Sequence, residues 1–105
     1  MNTPRQTLTK SAVLKALELV IDPEMYISIV DLGLIYVVSI SDDGNVDVTM
    51  TLTTIGCPLF PVIERDIHDQ VGAITGVKNV SVHVVFDPPW NVDLMSENGK
   101  AILGI

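Results

Sequence analysis

The stretch Thr51-Leu52-Thr53-Thr54-Ile55-Gly56-Cys57-Pro58-Leu59 concentrates the residues most able to do chemistry, and it holds the chain's single cysteine. It lies between an alternating, strand-like run at 46–52 and a helix-like run that starts at Leu59. Pro58 suits the first position of a helix, where a missing N–H leaves no bond unmade. Cys57 is then expected at or beside the N-cap. Free backbone N–H groups and the positive end of the helix dipole favour negative charge there. Such a site lowers a thiol's pKa, and the thiolate is both the nucleophile and the metal ligand. Thr51, Thr53, Thr54 and Gly56 surround it with small hydroxyls and accessible backbone. A free cysteine is equally at home as a small buried hydrophobe, and the local sequence leaves both readings open.

Carboxylates are the other candidates. Asp22, Glu24 and Asp31 fall in one connection, Asp22-Pro23-Glu24-Met25-Tyr26-Ile27-Ser28-Ile29-Val30-Asp31-Leu32-Gly33. Asp22 and Asp31 can cap local turns. A carboxylate near the Cys57 thiol could instead accept a proton or act as a hard metal ligand. The two histidines, His68 and His83, have no cysteine or histidine at ligand spacing, so each reads as a surface or partner-facing residue.

Composition narrows the function classes. The 105 residues, 48% hydrophobic and 18% charged, predict one globular domain over 7–105 behind a flexible N-terminus at 1–6. Aromatic residues make up only 5%, so the core must be aliphatic. A net charge of −7 argues against nucleic acid, which needs clustered Lys and Arg. No apolar run approaches the ~20 residues of a membrane span. The opening Met1-Asn2-Thr3-Pro4-Arg5-Gln6 lacks a secretory signal's apolar core. One cysteine excludes an internal disulfide and zinc-finger spacing, and suits a reducing cytoplasm.

Periodicity supplies the elements. A helix is expected from a cap at Thr7 or Thr9, with Val13, Leu14, Leu17, Val20 and Ile21 as its apolar stripe, ending at Asp22-Pro23. The apolar connection that follows should pack onto a sheet. Strands are predicted at 34–40, with Tyr36, Val38 and Ile40 on one face, and at 46–52, with Asp43-Gly44 in the turn between them. A second helix carries Leu59, Val62, Ile63, Ile67, Val71 and Ile74 inward and stops near Gly76. A third strand at 79–86 turns Val80, Val82, Val84 and Phe86 to the core. Asp87-Pro88-Pro89-Trp90 breaks it, and Trp90 suits either a lid on the core or an exposed anchor. Ser96 caps a short last helix with Met95, Ile102 and Leu103 inward. The order helix-strand-strand-helix-strand-helix implies an α+β fold, a two-layer α/β sandwich with a small three-stranded mixed sheet. Its other face, with Thr49, Thr51, Ser81 and His83, is free for water or a partner.

Taken together, several pieces resemble the SufT-type iron–sulfur assembly domain, which recurs in PaaD and in the cytosolic iron–sulfur targeting factor. They are Asp22-Pro23-Glu24, Ser28-Ile29-Val30-Asp31-Leu32-Gly33-Leu34-Ile35-Tyr36, Met50-Thr51-Leu52-Thr53-Thr54-Ile55-Gly56-Cys57-Pro58, Gly76-Val77, Phe86-Asp87-Pro88-Pro89-Trp90, and the ending Met95-Ser96 with Leu103-Gly104-Ile105. The likeness runs from about residue 10 to 105. It implies a factor that matures or delivers iron–sulfur clusters, with Cys57, Asp22, Glu24, Thr51, Thr53 and Thr54 as cluster or partner contacts. The sequence shows neither the cysteine-rich tail of PaaD nor a P-loop, which favours the stand-alone SufT-like role.

Four thiolates usually hold a cluster, and this chain offers one. No cofactor is therefore expected to be tightly bound. A transient cluster could be held with a partner, a small thiol, or a second copy across a homodimer. The expected partners are cluster carriers or scaffolds and apo client proteins, and no enzymatic activity is expected. Two other readings stand beside this one. A thiol-dependent enzyme or redox sensor would need a positioned base or a resolving thiol. A purely structural adaptor would dock through its acidic surface and the Trp90 region.

Overall fold

A computed structural model describes residues 8–53 and 58–104. The elements are α1 (Lys10–Leu17), β1 (Ile35–Ile40), β2 (Asn45–Met50), α2 (Phe60–Gly72), β3 (Asn79–Val84), a 3-10 turn (Val92–Leu94) and α3 (Glu97–Leu103). The sheet order is β1-β2-β3, with β1 antiparallel and β3 parallel to β2. This is the α+β architecture with a mixed sheet that the periodicity predicts. The alternative cap Thr7 and the N-terminus at 1–6 lie outside the described residues.

Thr9 caps α1, its Oγ1 accepting from the Ala12 amide at 3.0 Å. Val13, Ala16 and Leu17 form the buried stripe. The helix stops at Leu17, well before Asp22-Pro23. Tighter bonds from the Leu19 amide to Ala16 O and from the Val20 amide to Leu17 O close its last turn. The chain then runs extended, bridging Ile21 to Ser28, so Val20 is buried while Ile21 is 44% exposed. Proline therefore does not end this helix; pairing of 20–21 with 28–29 does.

The core is aliphatic. Val46, Val48 and Met50 of β2 meet Val13 and Leu17 of α1 and Ile63, Ile67 and Val71 of α2. Several expected core positions are not in it. A bulge in β1 between Ile35 and Val37 breaks the alternation, so Ile35 joins Val38 and Ile40 against the core. Tyr36 instead turns its hydroxyl to donate to Pro88 O at 2.8 Å. On α2, Val62 is 49% exposed, because the buried stripe is the narrower Ile63, Ile67, Val71 row. Phe86, at 42% exposed, lies beyond the end of β3.

Ser96 caps α3 as expected, its Oγ accepting from the Gly99 amide at 2.9 Å. The helix does not dock through Ile102 and Leu103, which are 57% and 39% exposed. Gly99 and Met95 are its buried contacts. A Cβ on Gly99 would sit 2.7 Å from Asp31 O, so the helix backbone approaches where only glycine fits. Gly76 likewise does not stop α2, which ends at Gly72 with Ala73 as its cap; its φ of +99° serves the turn into β3.

Candidate functional site

The parallel pair fixes where a site belongs. In open sheets, ligands are taken at the carboxyl ends of parallel strands. Here those ends are Met50 and Val84, joined by a bond from the Val85 amide to Met50 O at 2.8 Å. β1 is antiparallel and so begins at the same end. Backbone bonds step across it, from Thr51 N to Leu34 O, from Leu34 N to Ile29 O, and from Ile29 N to Val20 O. Residues 51–53, the loop at 18–34 and the segment 85–90 thus meet at one end of the sheet. The hairpin turn lies at the other, beside an open depression of about 840 Å³ that includes Thr9, Lys10, Asp42, Asp43 and Lys78. Among the described residues, none of the sequence-predicted site residues lines it.

At the motif end, Asp22 is 4% exposed and its Oδ1 accepts from the amides of Glu24 at 2.8 Å and Met25 at 3.1 Å. The carboxylate thus shapes the Asp-Pro-Glu turn. The backbone closes the loop around it, with Tyr26 N donating to Asp22 O and Asp22 N to Ile27 O. Ile27, Ile29, Leu32 and Leu34 pack down as the apolar connection predicts. Glu24 remains exposed and takes part in no ion pair among the described residues.

Tyr26 is the residue that sequence reasoning missed. Its φ is +58°, uncommon for a bulky side chain, and it is 80% exposed. Such strained conformations persist where surrounding structure over-determines them; here the Asp22 turn does so. The available signal was an aromatic residue just after Asp-Pro-Glu, where the chain must turn.

Of the threonines, Thr51 is fully buried and its Oγ1 has no hydrogen-bond partner among the described residues. It does not share the open sheet face. Beyond Met50 the chain has left the strand and the alternation no longer applies. Thr53 is half-buried. Thr54 and Cys57 lie outside the described residues. The expected helix start is displaced: Leu59 is the N-cap of α2, without a side-chain cap bond, and Pro61 fills the early proline position. Pro58 is exposed and precedes the cap, so Cys57 is two residues upstream of the N-cap in sequence rather than at it.

Asp31 ties the C-terminus to the loop. Its Oδ1 accepts from Ser96 Oγ at 2.7 Å, its Oδ2 from Asn98 Nδ2 at 3.2 Å, and its carbonyl from the Ser96 amide at 2.9 Å. Trp90 is the lid of the two alternatives, half-buried against the core with Nε1 donating to Leu32 O at 2.6 Å. His83 lies on the open face with Nε2 3.2 Å from Asp47 Oδ1, and His68 is exposed. Among the described residues no three His, Cys, Asp or Glu side chains cluster as metal ligands.

A family model described as iron–sulfur cluster assembly protein matches residues 10–84. The chain belongs to that family. The Fe-S protein maturation auxiliary factor YitW of Bacillus subtilis is 45% identical over 96 residues, covering 91% of this chain and 94% of the relative. The Fe-S protein maturation auxiliary factor SufT of Staphylococcus aureus is 42% identical over 87 residues, covering 83% and 99%. The crystal structure of a DUF59 domain from Bacillus anthracis superposes with a TM-score of 0.87 at 39% identity, covering 91% of this chain and 92% of that one. The fold expected from periodicity and the SufT-type resemblance both hold.

One prediction separates the turn-forming role of Asp22 from a chemical one. Asp22→Ala leaves two amides without their acceptor and is expected to destabilise the domain by about 2 kcal/mol. Asp22→Asn keeps an acceptor oxygen and should lose less than half as much. Urea unfolding of both variants checks this; equal losses would show that the charge itself holds the loop.

Proposed function

We propose that this chain is a SufT-like iron–sulfur maturation factor that engages its partners through the motif end of the sheet. Cys57 lends one transient thiolate or a partner contact there. The observation that carries this is the convergence of the 18–34 loop, residues 51–53 and the 85–90 segment at the carboxyl ends of the parallel strands, the end from which the chain runs on toward Cys57 in sequence. Its family membership and its SufT-named and YitW-named relatives support the same role.

The cluster is cargo, not a resident group. One thiolate cannot close a four-thiolate site, so the remaining ligands come from the carrier and the apo client. Asp22 holds the loop, Glu24 and Tyr26 stand on its exposed side, and Phe86 adds a second exposed apolar contact. In this reading the chain performs no reaction of its own and works in the cytoplasm. Its single cysteine supports that placement. No helix among the described residues is long and apolar enough to cross a membrane.

The test is Cys57→Ser in cells. The activity of iron–sulfur enzymes should fall several-fold, while the purified variant keeps its circular dichroism and unfolding midpoint. Full enzyme activity in those cells would remove Cys57 from the mechanism. Anaerobic reconstitution with iron and sulfide then counts chains per cluster; a stable cluster on the isolated chain would contradict the cargo assignment.

A further inference from the structure

The two edges of the sheet differ. The β1 edge is distorted by the bulge between Ile35 and Val37, one of the devices that blunt an edge against pairing. The β3 edge carries no such device. Asn79–Val84, Asn-Val-Ser-Val-His-Val, contains no proline, lysine or acid, and its pairing to β2 is regular throughout.

The hydrogen-bond parity of β3 is fixed at both ends. The Val85 amide donates to Met50 O and the Asn79 amide to Gly44 O, so odd-numbered residues face β2. In a parallel ladder the N–H and C=O of alternate residues point to opposite sides. Val80, Val82 and Val84 therefore aim their N–H and C=O groups outward, and these find no partner among the described residues. The same three side chains are only half-buried against the core, unlike Val46, Val48 and Met50 on the central strand.

We propose that β3 is a self-association edge, pairing antiparallel with β3 of a second copy about a two-fold axis at Val82. The register follows from the parity. Val82 faces Val82 of the other copy as a hydrogen-bonded pair, Val80 faces Val84, and Ser81 faces His83 as the non-hydrogen-bonded pair. The valines of both copies then share one apolar face, and the helices of both lie on that side of a continuous six-stranded sheet. Antiparallel pairing also brings Lys78, before the strand, to the same end as the partner copy's Asp87, after it. Both residues are exposed, so opposite charges meet at each end of the seam. The strand itself adds no carboxylate repulsion, although the chain carries −7. In this dimer the two β2 strands run in opposite directions. The two motif ends point apart, and each stays open to its own partner. The proposal stands independently of the cluster-delivery reading.

Sedimentation velocity over a rising concentration series is expected to show the mass moving from one chain toward two. Ser81→Lys with His83→Lys places lysines opposite one another across the seam. It should abolish the shift while leaving circular dichroism unchanged, since both positions are exposed. Register is read by oxidising Ser81→Cys/His83→Cys in a Cys57→Ser background. A non-hydrogen-bonded pair has Cα atoms about 4.5 Å apart, within disulfide range, so a covalent dimer should form. Thr49→Cys, on the central strand, should not cross-link. A single-chain mass at every concentration, or Thr49→Cys cross-linking as readily as the 81/83 pair, would overturn the proposal.

Discussion

Ile67→Ala is expected to lower the unfolding free energy by about 3–4 kcal/mol, the cost of a fully buried aliphatic side chain and the cavity it leaves. Ile67 is 0% exposed at the centre of the α2 stripe, between Ile63 and Val71. Small domains have only about 5–15 kcal/mol in total, so this single change should remove a large part of the stability. The control is on the same helix. Val62 is 49% exposed, and Val62→Ala should change stability by less than about 1 kcal/mol. Urea midpoints at unchanged slope give both numbers. Similar losses at the two sites would mean that the helix packs on a wider face than the structure shows.

Gly33→Ala is expected to be at least as damaging, for a different reason. Gly33 has φ +78°, where an alanine meets its own backbone, a penalty of about 1–2 kcal/mol. A Cβ there would also lie 2.6 Å from the carbonyl carbon of Leu94 and closer still to its oxygen. Both partners are backbone, so neither can swing aside. The 3-10 turn at Val92–Leu94 must lift, and with it the anchorage of Trp90 on Leu32 O and of Ser96 on Asp31. The total loss should exceed about 3 kcal/mol once those contacts go. Trp90 is the only tryptophan, so its fluorescence reports the undocking directly as a red shift. Gly104 isolates the conformational part. It has φ +80° with nothing within 4 Å of its absent Cβ, so Gly104→Ala should lose only about 1 kcal/mol and leave the emission unmoved.

Those glycines mark what the sequence could and could not convey. Gly33 is visible as a glycine, but that it sits against Leu94, some sixty residues on, is a tertiary fact that no local pattern encodes. The strands were legible because Val46, Val48 and Met50 alternate cleanly and lie on the central strand. The edge strands were less so. A bulge moved Tyr36 off its predicted face, and the end of β3 left Phe86 outside. The caps Thr9 and Ser96 were readable because an N-cap is a local bond, made within three residues. The end of α1 was not, because long-range pairing of 20–21 with 28–29 decides it rather than Pro23. At the site, the resemblance points to Asp22 as a contact, while its Oδ1 accepts from two amides of its own turn. Charge and loop position do not distinguish a capping carboxylate from a free one. Two prolines near the helix start allowed two readings, and Pro61 rather than Pro58 took the early position.

The Ser41–Gly44 connection, with Asp42 and Asp43 exposed, stands at the end of the sheet opposite Thr51 and the loop that holds Asp22 and Glu24. A fluorophore, an affinity handle or a whole additional domain grafted between those two aspartates would leave the working pole unobstructed. The Gly44 carbonyl must be spared, since it accepts from Lys78 and Asn79 and pins the hairpin to the strand that follows.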